Sequence, residues 1–213
     1  MESRTAEPRG HSMDKLLIYG GTFNPIHNGH LHLAQAFARI TGASRVILVP
    51  AHIPPHKMAP SLASSEQRLE MCRLAVAGRP DWQVSDIEMQ RPGPSYTADT
   101  LDAMAGLYPD TQLYFVTGED MFLTLLQWRD PLRILRRAVI CGAPRSPAGL
   151  PRMQAYARRL EQQGGRTLVR DVHYLPVSST QVRAAAAAGE PIDTLVPPPV
   201  ARYIAKNSLY QEP

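Results

Sequence analysis

Two histidines three residues apart, His27 and His30, lie where the sequence predicts the start of a helix, directly after a glycine-rich turn. That spacing places both imidazoles on one face of the first helical turn. Glycine lets a bound group approach the backbone closely, and a helix start offers unpaired N–H groups with partial positive charge. The pattern predicts a phosphate site, the alternative being an ordinary strand-to-helix turn with two surface histidines. The turn consists of Gly20, Gly21, Thr22 and Phe23.

A second segment with similar chemistry follows the strand predicted over 167–174. Three hydroxyl side chains there can cap a new helix, and Arg183 lies within the opening turns of that helix. N–H groups, hydroxyls and a guanidinium can converge on phosphate oxygens. Taken alone, the segment favours a capped helix with a solvated arginine, but together with the two histidines it predicts a second anion site. The three hydroxyl residues are Ser178, Ser179 and Thr180.

Basic residues also follow the second predicted strand. His52 and His56 have the i, i+4 spacing of zinc ligands on a helix, but Pro54 and Pro55 between them preclude helical geometry. We therefore expect no metal site. Lys57 in this loop is interpreted as a cation that reaches phosphate, and a solvated surface lysine is the alternative.

A further helix start is predicted after the rigid turn Arg91-Pro92-Gly93-Pro94. Ser95 or Thr97 is its expected N-cap, with Tyr96 between them. The free N–H groups of this helix start could bind a carboxylate.

Two later positions complete the set of candidate site residues. Gly118 and Asp120 follow the strand predicted over 113–117, again at a carboxyl end. Trp128 and Arg129 follow one predicted helix later. A tryptophan at a helix end belongs more often to the core than to a ligand-stacking site, so the pattern alone favours the core.

Strand-like and helical patterns alternate along the chain. Strands are predicted over 16–19, 46–49, 82–89, 113–117, 138–141 and 167–174. Helices are predicted over 31–40, 65–77, 97–107, 120–127 with a continuation to 137 beyond a break at Pro131, 151–163, 184–188 and 197–210. This alternation predicts an α/β fold with a doubly wound, mostly parallel sheet and helices on both faces. Ligands of such sheets bind at the carboxyl ends of the strands, where the Gly20 turn lies.

Length and composition predict a single domain over 13–213 after a polar tail over 1–12. The net charge of +4 suits anionic small molecules, and the low aromatic content of 7% without an interleaved basic block argues against a nucleic-acid partner. No apolar segment approaches the roughly 20 residues that cross a bilayer, so no membrane partner is expected. Cys72 and Cys141 are expected as buried free thiols, which favours the cytoplasm. The sequence leaves the oligomeric state open.

The segment His27-Asn28-Gly29-His30 resembles the HxGH signature of the nucleotidylyltransferase superfamily, and the second anion segment resembles its ISSTxxR motif, with Val177 in place of isoleucine. The stretch over 15–210 is similar to the bacterial nicotinate-nucleotide adenylyltransferases. Further segments carry this resemblance: PPHK, RPGPSYTADTL, the Gly118/Asp120 pair, Trp128, VARYI and the closing LY. The family often has asparagine before the PPHK-like loop, where this chain has Ala51-His52.

The resemblance implies a Rossmann-like nucleotidylyltransferase fold and adenylyl transfer from ATP to nicotinate mononucleotide, giving deamido-NAD and pyrophosphate. Mg²⁺ would accompany ATP. His27, His30, Lys57 and Arg183 would be the catalytic residues. ATP would contact the two anion segments together with Gly118 and Asp120, Asp120 binding ribose hydroxyls of one of the two nucleotides.

The acceptor site follows from the same resemblance. The nicotinate ring would stack on Trp128, and its carboxylate would meet N–H groups near Tyr96-Thr97 and Arg129. The residues implied to bind the acceptor are Lys57, Ser95, Tyr96, Thr97, Trp128 and Arg129.

Two alternatives stay open at this point. One keeps the superfamily and changes the acceptor, for example to nicotinamide mononucleotide, phosphopantetheine or, with CTP, glycerol 3-phosphate. The other is a nucleotide-binding regulator without catalytic activity, against which the intact His27, His30 and Arg183 count.

Overall fold

Six strands form one parallel sheet in the order β3-β2-β1-β4-β5-β6. The computed structural model describes residues 13–54 and 61–211, so the predicted tail over 1–12, His56 and Lys57 lie outside the described residues. The central strands β1, β2 and β4 are apolar runs because both of their faces are buried, as in parallel sheets generally. The strands are β1 (Asp14–Gly21), β2 (Arg45–Pro50), β3 (Trp82–Val84), β4 (Thr111–Gly118), β5 (Ala138–Ala143) and β6 (Arg166–Val169).

Helices cover both faces of the sheet. Those on one face, α1, α2, α7 and α8, pack on Leu17, Tyr19 and Val116. Those on the other, α3 to α6, pack on Ile18 and Phe115. The predicted doubly wound α/β fold is therefore confirmed. The helices are α1 (Asn28–Thr41), α2 (Ser65–Val76), α3 (Thr97–Leu107), α4 (Glu119–Phe122), α5 (Pro131–Arg137), α6 (Leu150–Gln162), α7 (Ser179–Ala187) and α8 (Pro198–Lys206).

Two strand predictions were too long. The strand predicted over 82–89 ends at Val84, because the chain then turns and Met89 N–H bonds to the carbonyl of Asp86. The strand predicted over 167–174 ends at Val169 at the edge of the sheet, and an extended segment leads from there to α7. Apolar content alone does not set where pairing stops.

The helix predicted over 120–127 is also wrong. Helix α4 has four residues, and a separate 3-10 turn covers Leu125–Gln127. The Thr124 hydroxyl donates to the carbonyl of Asp120, a local bond that competes with regular helix. Helix α5 is a new helix rather than a continuation, since Asp130 before it has a left-handed φ of 51°. Near the C-terminus, α8 ends at Lys206, short of the predicted residue 210.

The order of the strands places the crevice of the sheet between β1 and β4. From β1 the chain winds outward through β2 and β3, and it then returns to β4 on the other side. Their carboxyl ends, Gly21 and Gly118, therefore flank the position where doubly wound sheets bind ligands. Among the described residues, no helix is both long and apolar enough to span a membrane.

Candidate active site

The turn between β1 and α1 is packed by aromatic rings of the chain itself. A Cβ on Gly20 would lie 3.3 Å from the Phe115 ring, and one on Gly21 would lie 3.0 Å from the Phe23 ring. Phe23 is buried with a left-handed φ of 48°. Its ring contacts His30 edge-on, with 5.1 Å between the centroids. The two glycines thus make room for the rings that shape the turn, whereas the sequence suggested room for a ligand.

His27 and His30 cap each other at the start of α1. His27 is the N-cap, and its Nδ1 accepts from the His30 N–H at 3.4 Å, while His30 Nδ1 accepts from the His27 N–H at 3.2 Å. The rings stack with 3.6 Å between their centroids. A ring nitrogen that accepts from a backbone N–H carries no proton, so a neutral ring in this geometry carries its proton on Nε2. A neutral His27 can therefore donate its Nε2–H to an anion.

Burial makes His27 a neutral donor. The side chain is 6% exposed, and desolvation lowers its pKa to about 4, so it is uncharged at neutral pH. Gly29 is required beside it, because a Cβ there would lie 3.1 Å from the His27 ring and 3.3 Å from the carbonyl of Val177. The glycine of the HxGH element thus permits α1 to approach the segment that leads into α7.

The start of α7 is bonded directly to the β1–α1 turn. The Ser179 hydroxyl donates to the carbonyl of Pro25 at 2.9 Å, and Arg183 Nη1 donates to the carbonyl of Asn24 at 2.8 Å. Of the three hydroxyl residues predicted to cap this helix, Ser178 is the N-cap, and it accepts from the Gln181 N–H at 3.1 Å. Two helix N-termini are thereby held side by side. Arg183 Nη2 also lies 3.4 Å from the Thr180 hydroxyl.

The carboxyl end of β4 carries a pair of charges. Gly118 is extended and precedes α4, and the exposed Asp120 pairs with Arg145 at 2.5 Å. Glu119 is 8% exposed and accepts from the Arg145 backbone N–H at 2.7 Å and from Arg152 at 3.2 Å. Asp120 thus lies at the carboxyl end of β4, as predicted, whereas its partner Arg145 was not among the predicted site residues. An exposed pair of this kind contributes little stability and can rearrange for a ligand.

The start of α3 differs from the prediction. Its N-cap is Tyr96, neither Ser95 nor Thr97, and no side chain among the described residues caps it. The Ser95 hydroxyl instead accepts from the His52 N–H at 2.9 Å, and Ser95 N–H donates to the carbonyl of Ile53 at 2.9 Å. The loop after β2 therefore takes the hydroxyl that the sequence assigned to a cap. The helix start keeps N–H groups with no side-chain acceptor, which suits an anionic ligand.

Trp128 and Arg129 lie beside this helix start. The Arg129 guanidinium lies over the Tyr96 ring, 4.5 Å from its centroid. The half-buried Trp128 meets Phe115 edge-on at 6.4 Å, and its Nε1–H donates to the Thr124 hydroxyl at 3.3 Å. The protein thus holds one edge of the Trp128 indole in place. The indole, the Arg129 guanidinium and the uncapped start of α3 lie in the same part of the site.

Two buried ionisable side chains near the site, Glu88 and Arg68, were not predicted from the sequence. Glu88 is 7% exposed, and desolvation raises the pKa of its carboxyl group, against hydrogen bonds from Thr100 and Ser95. Arg68 is 1% exposed within α2. A signal for Arg68 existed, because it precedes the apolar Cys72 by four residues and therefore lies on the apolar face of the helix.

In the described parts of the chain, no group of three or more His, Cys, Asp or Glu side chains could hold a metal ion.

A parallel doubly wound sheet with two adjoining helix starts at its switch point defines a nucleotide-binding α/β protein. The model of the cytidylyltransferase-like family matches residues 18–185. A protein of Symbiobacterium thermophilum named probable nicotinate-nucleotide adenylyltransferase is 40% identical over 203 residues, covering 93% of this chain and 96% of that protein. One of the same name from Sodalis glossinidius is 40% identical over 210 residues, covering 91% and 96%. The chain belongs to the cytidylyltransferase-like family and, within it, to the nicotinate-nucleotide adenylyltransferases.

Solved structures agree with the fold. The Plasmodium falciparum nicotinic acid mononucleotide adenylyltransferase complexed with NaAD superposes with a TM-score of 0.75, 19% identity, and coverage of 92% of this chain and 97% of that chain. The same enzyme complexed with APC gives a TM-score of 0.72 at 17% identity, with coverage of 92% and 97%. At such identities the likeness concerns the fold alone.

Proposed function

We propose that the chain transfers the adenylyl group of ATP to nicotinate mononucleotide, giving deamido-NAD and pyrophosphate as a step of NAD biosynthesis. The observation that carries the proposal is the joining of the starts of α1 and α7 through Ser179 and Arg183, at the switch point of the sheet. The names of the relatives at 40% identity over nearly the whole chain support the reaction and the acceptor.

The chemistry requires alignment more than proton transfer. A phosphate oxygen of the mononucleotide attacks the α-phosphorus of ATP in line, a new P–O bond forms, and the bond to the leaving pyrophosphate breaks with its electron pair. The attacking phosphate is already ionised, so no general base is needed. Catalysis then depends on holding two polyanions together and stabilising the charge that develops on the phosphoryl groups.

The residues of the two anion segments suit that task. In this proposal His27 acts as a neutral Nε2–H donor, His30 lies beside it on the first turn of α1, and the Arg183 guanidinium, bonded to the Asn24 carbonyl, supplies a fixed positive charge. Lys57, which lies outside the described residues, adds a second cation in this proposal. Gly118 and Asp120 at the end of β4 are the proposed contacts to nucleoside hydroxyls.

Mg²⁺ bound to the triphosphate of ATP would supply positive charge that offsets part of the triphosphate charge. The described residues lack a carboxylate cage, and this fits an ion held mainly by phosphate oxygens and water. The chain's own residues orient the triphosphate around it. Both cysteines are free and buried, as predicted, which supports the cytoplasmic setting of such a reaction.

Acceptor recognition is assigned to the start of α3. Its N–H groups can only donate, so they favour the carboxylate of nicotinate over the amide of nicotinamide, whose NH₂ group is itself a donor. The Trp128 indole supplies the stacking surface, with Arg129 beside it. We therefore expect a kcat/KM ratio of at least about a hundredfold in favour of nicotinate mononucleotide.

Steady-state kinetics with both mononucleotides, followed by pyrophosphate release, test the proposal. Trp128→Ala should raise the KM for the mononucleotide far more than the KM for ATP, and Trp128→Phe, which keeps an aromatic face, is the matched control. Equal turnover of both mononucleotides would refute the carboxylate site. Turnover with phosphopantetheine alone would assign another acceptor, and no pyrophosphate release with any acceptor would indicate a nucleotide-binding regulator.

A further inference from the structure

Arg68 is a buried cation whose partners are backbone carbonyls rather than carboxylates. Its side chain is 1% exposed, and it forms no ion pair with an acidic residue in the described part of the chain. Nε donates to the carbonyl of Ala63 at 3.1 Å, Nη1 to that of Thr22 at 2.8 Å and Nη2 to that of His52 at 3.0 Å. Removing a guanidinium from water is costly, and these bonds offset the cost.

The three carbonyls belong to different parts of the candidate site. Thr22 lies in the turn between β1 and the HxGH element, His52 lies two residues beyond the end of β2, and Ala63 directly precedes the N-cap of α2. Arg68 therefore ties the phosphate-binding turn to the residues that follow β2 and to those that precede α2. Asn24 strengthens the same junction, since its Oδ1 accepts from the Ala63 N–H at 3.1 Å.

The contacts continue from Arg68 to the start of α3. The His52 carbonyl is held by Arg68, and its N–H donates to the Ser95 hydroxyl at 2.9 Å. Ser95 directly precedes Tyr96, the N-cap of α3. A continuous path of hydrogen bonds, here called the Arg68 bridge, thus runs from Thr22 through Arg68 and His52 to Ser95. It joins the turn of the HxGH element to the helix start that is assigned to the acceptor.

We propose that Arg68 is a positioning residue that fixes the separation between the triphosphate-binding turn and the acceptor-binding start of α3. The proposal rests on the proposed function for its two sites. With 1% exposure, the guanidinium acts through the backbones of Thr22 and His52 and touches neither nucleotide. In-line transfer depends on the alignment of two bound groups, and a shift of about 1 Å can cost roughly a hundredfold in rate. Loss of the bridge should therefore lower kcat and leave the binding of each nucleotide nearly intact.

Arg68→Lys is the direct test, because lysine keeps the charge but lacks the planar fork that reaches three carbonyls. Arg73→Lys is the matched control, since Arg73 lies on the same helix, is half exposed and pairs only loosely with Asp86, at 3.9 Å. We expect Arg68→Lys to lower kcat by roughly a hundredfold. The KM for each nucleotide should stay within about threefold, as for an interaction made only in the transition state. A folded Arg68→Lys with wild-type kcat, or an equal loss in Arg73→Lys, would overturn the proposal.

A double-mutant cycle with Ser95→Ala tests whether the two ends of the bridge act together. If they do, the kcat of Arg68→Lys/Ser95→Ala is close to that of Arg68→Lys, because the second change removes a path that is already broken. Fully multiplicative losses would contradict the bridge. Should no folded Arg68 variant be obtained, Ser95→Ala carries the test: a fall in kcat at constant acceptor KM supports the bridge, and a rise in acceptor KM alone refutes it.

Hydrogen exchange separates this proposal from the proposed function. In Arg68→Lys the His52 amide, which bonds to Ser95, should exchange faster together with the Ser95 amide, whereas in Arg73→Lys both should match the wild type. This result does not depend on turnover. A wild-type chain without adenylyl transfer would contradict the proposed function, and unchanged exchange at both amides in Arg68→Lys would overturn the Arg68 bridge.

Discussion

The buried state of His27 predicts a specific dependence of stability on pH. Desolvation lowers its pKa to about 4 in the folded protein, against an ordinary value of 6.5. Between these two values the unfolded chain binds a proton that the folded chain does not, so the free energy of unfolding falls as the pH is lowered. Each unit contributes about 1.4 kcal/mol, and from pH 7 to pH 4.5 the loss is about 2 kcal/mol.

The comparison is between the wild type and His27→Asn, because asparagine caps a helix and does not titrate. Urea unfolding of both proteins at pH 7 and pH 4.5 gives two changes in the free energy of unfolding. The wild-type loss should exceed that of His27→Asn by about 2 kcal/mol, since the other titrating groups contribute to both. Equal losses in the two proteins would show that His27 is not held neutral by burial, and would remove the basis for treating it as a neutral donor.

Two further predictions concern the role of Arg183 in α7 and the role of the N-terminal residues 1–12. Arg183→Lys should lower kcat/KM for ATP by tenfold or more, because one ammonium cannot both bond to the Asn24 carbonyl and reach phosphate. A loss of this size corresponds to a charge-assisted hydrogen bond of about 1.5 kcal/mol or above. Full activity in steady-state kinetics would rule out that role. Deleting residues 1–12 should leave the melting temperature and the activity nearly unchanged, because this polar segment offers little apolar surface to bury. A drop of several degrees in a thermal melt would show that the tail packs on the domain.

Much of the fold could be predicted because its signals are local. The apolar runs of β1, β2 and β4 and the alternation with helices indicated a parallel sheet, and α3 begins and ends where the sequence placed it, at Thr97 and Leu107. The errors lie at the ends of elements, whose positions apolar content does not set. β3 ends at Val84 although apolar residues continue, and the four residues of α4 end where Thr124 bonds back to the helix.

The candidate site divides in the same way. The HxGH and SSTxxR segments and the helix starts depend on neighbouring residues, so the sequence alone could predict them, and the family resemblance predicted the nucleotides that they would bind. The tertiary structure decided which of them meet. The contact of Arg183 with Asn24 spans 159 residues and exists only because the strand order brings α7 against α1. The bond from the His52 N–H to the Ser95 hydroxyl, the pairing of Asp120 with Arg145 and the Arg68 bridge likewise join chain segments that no local pattern connects. The folding of the sheet, and not sequence spacing, sets the distances between them.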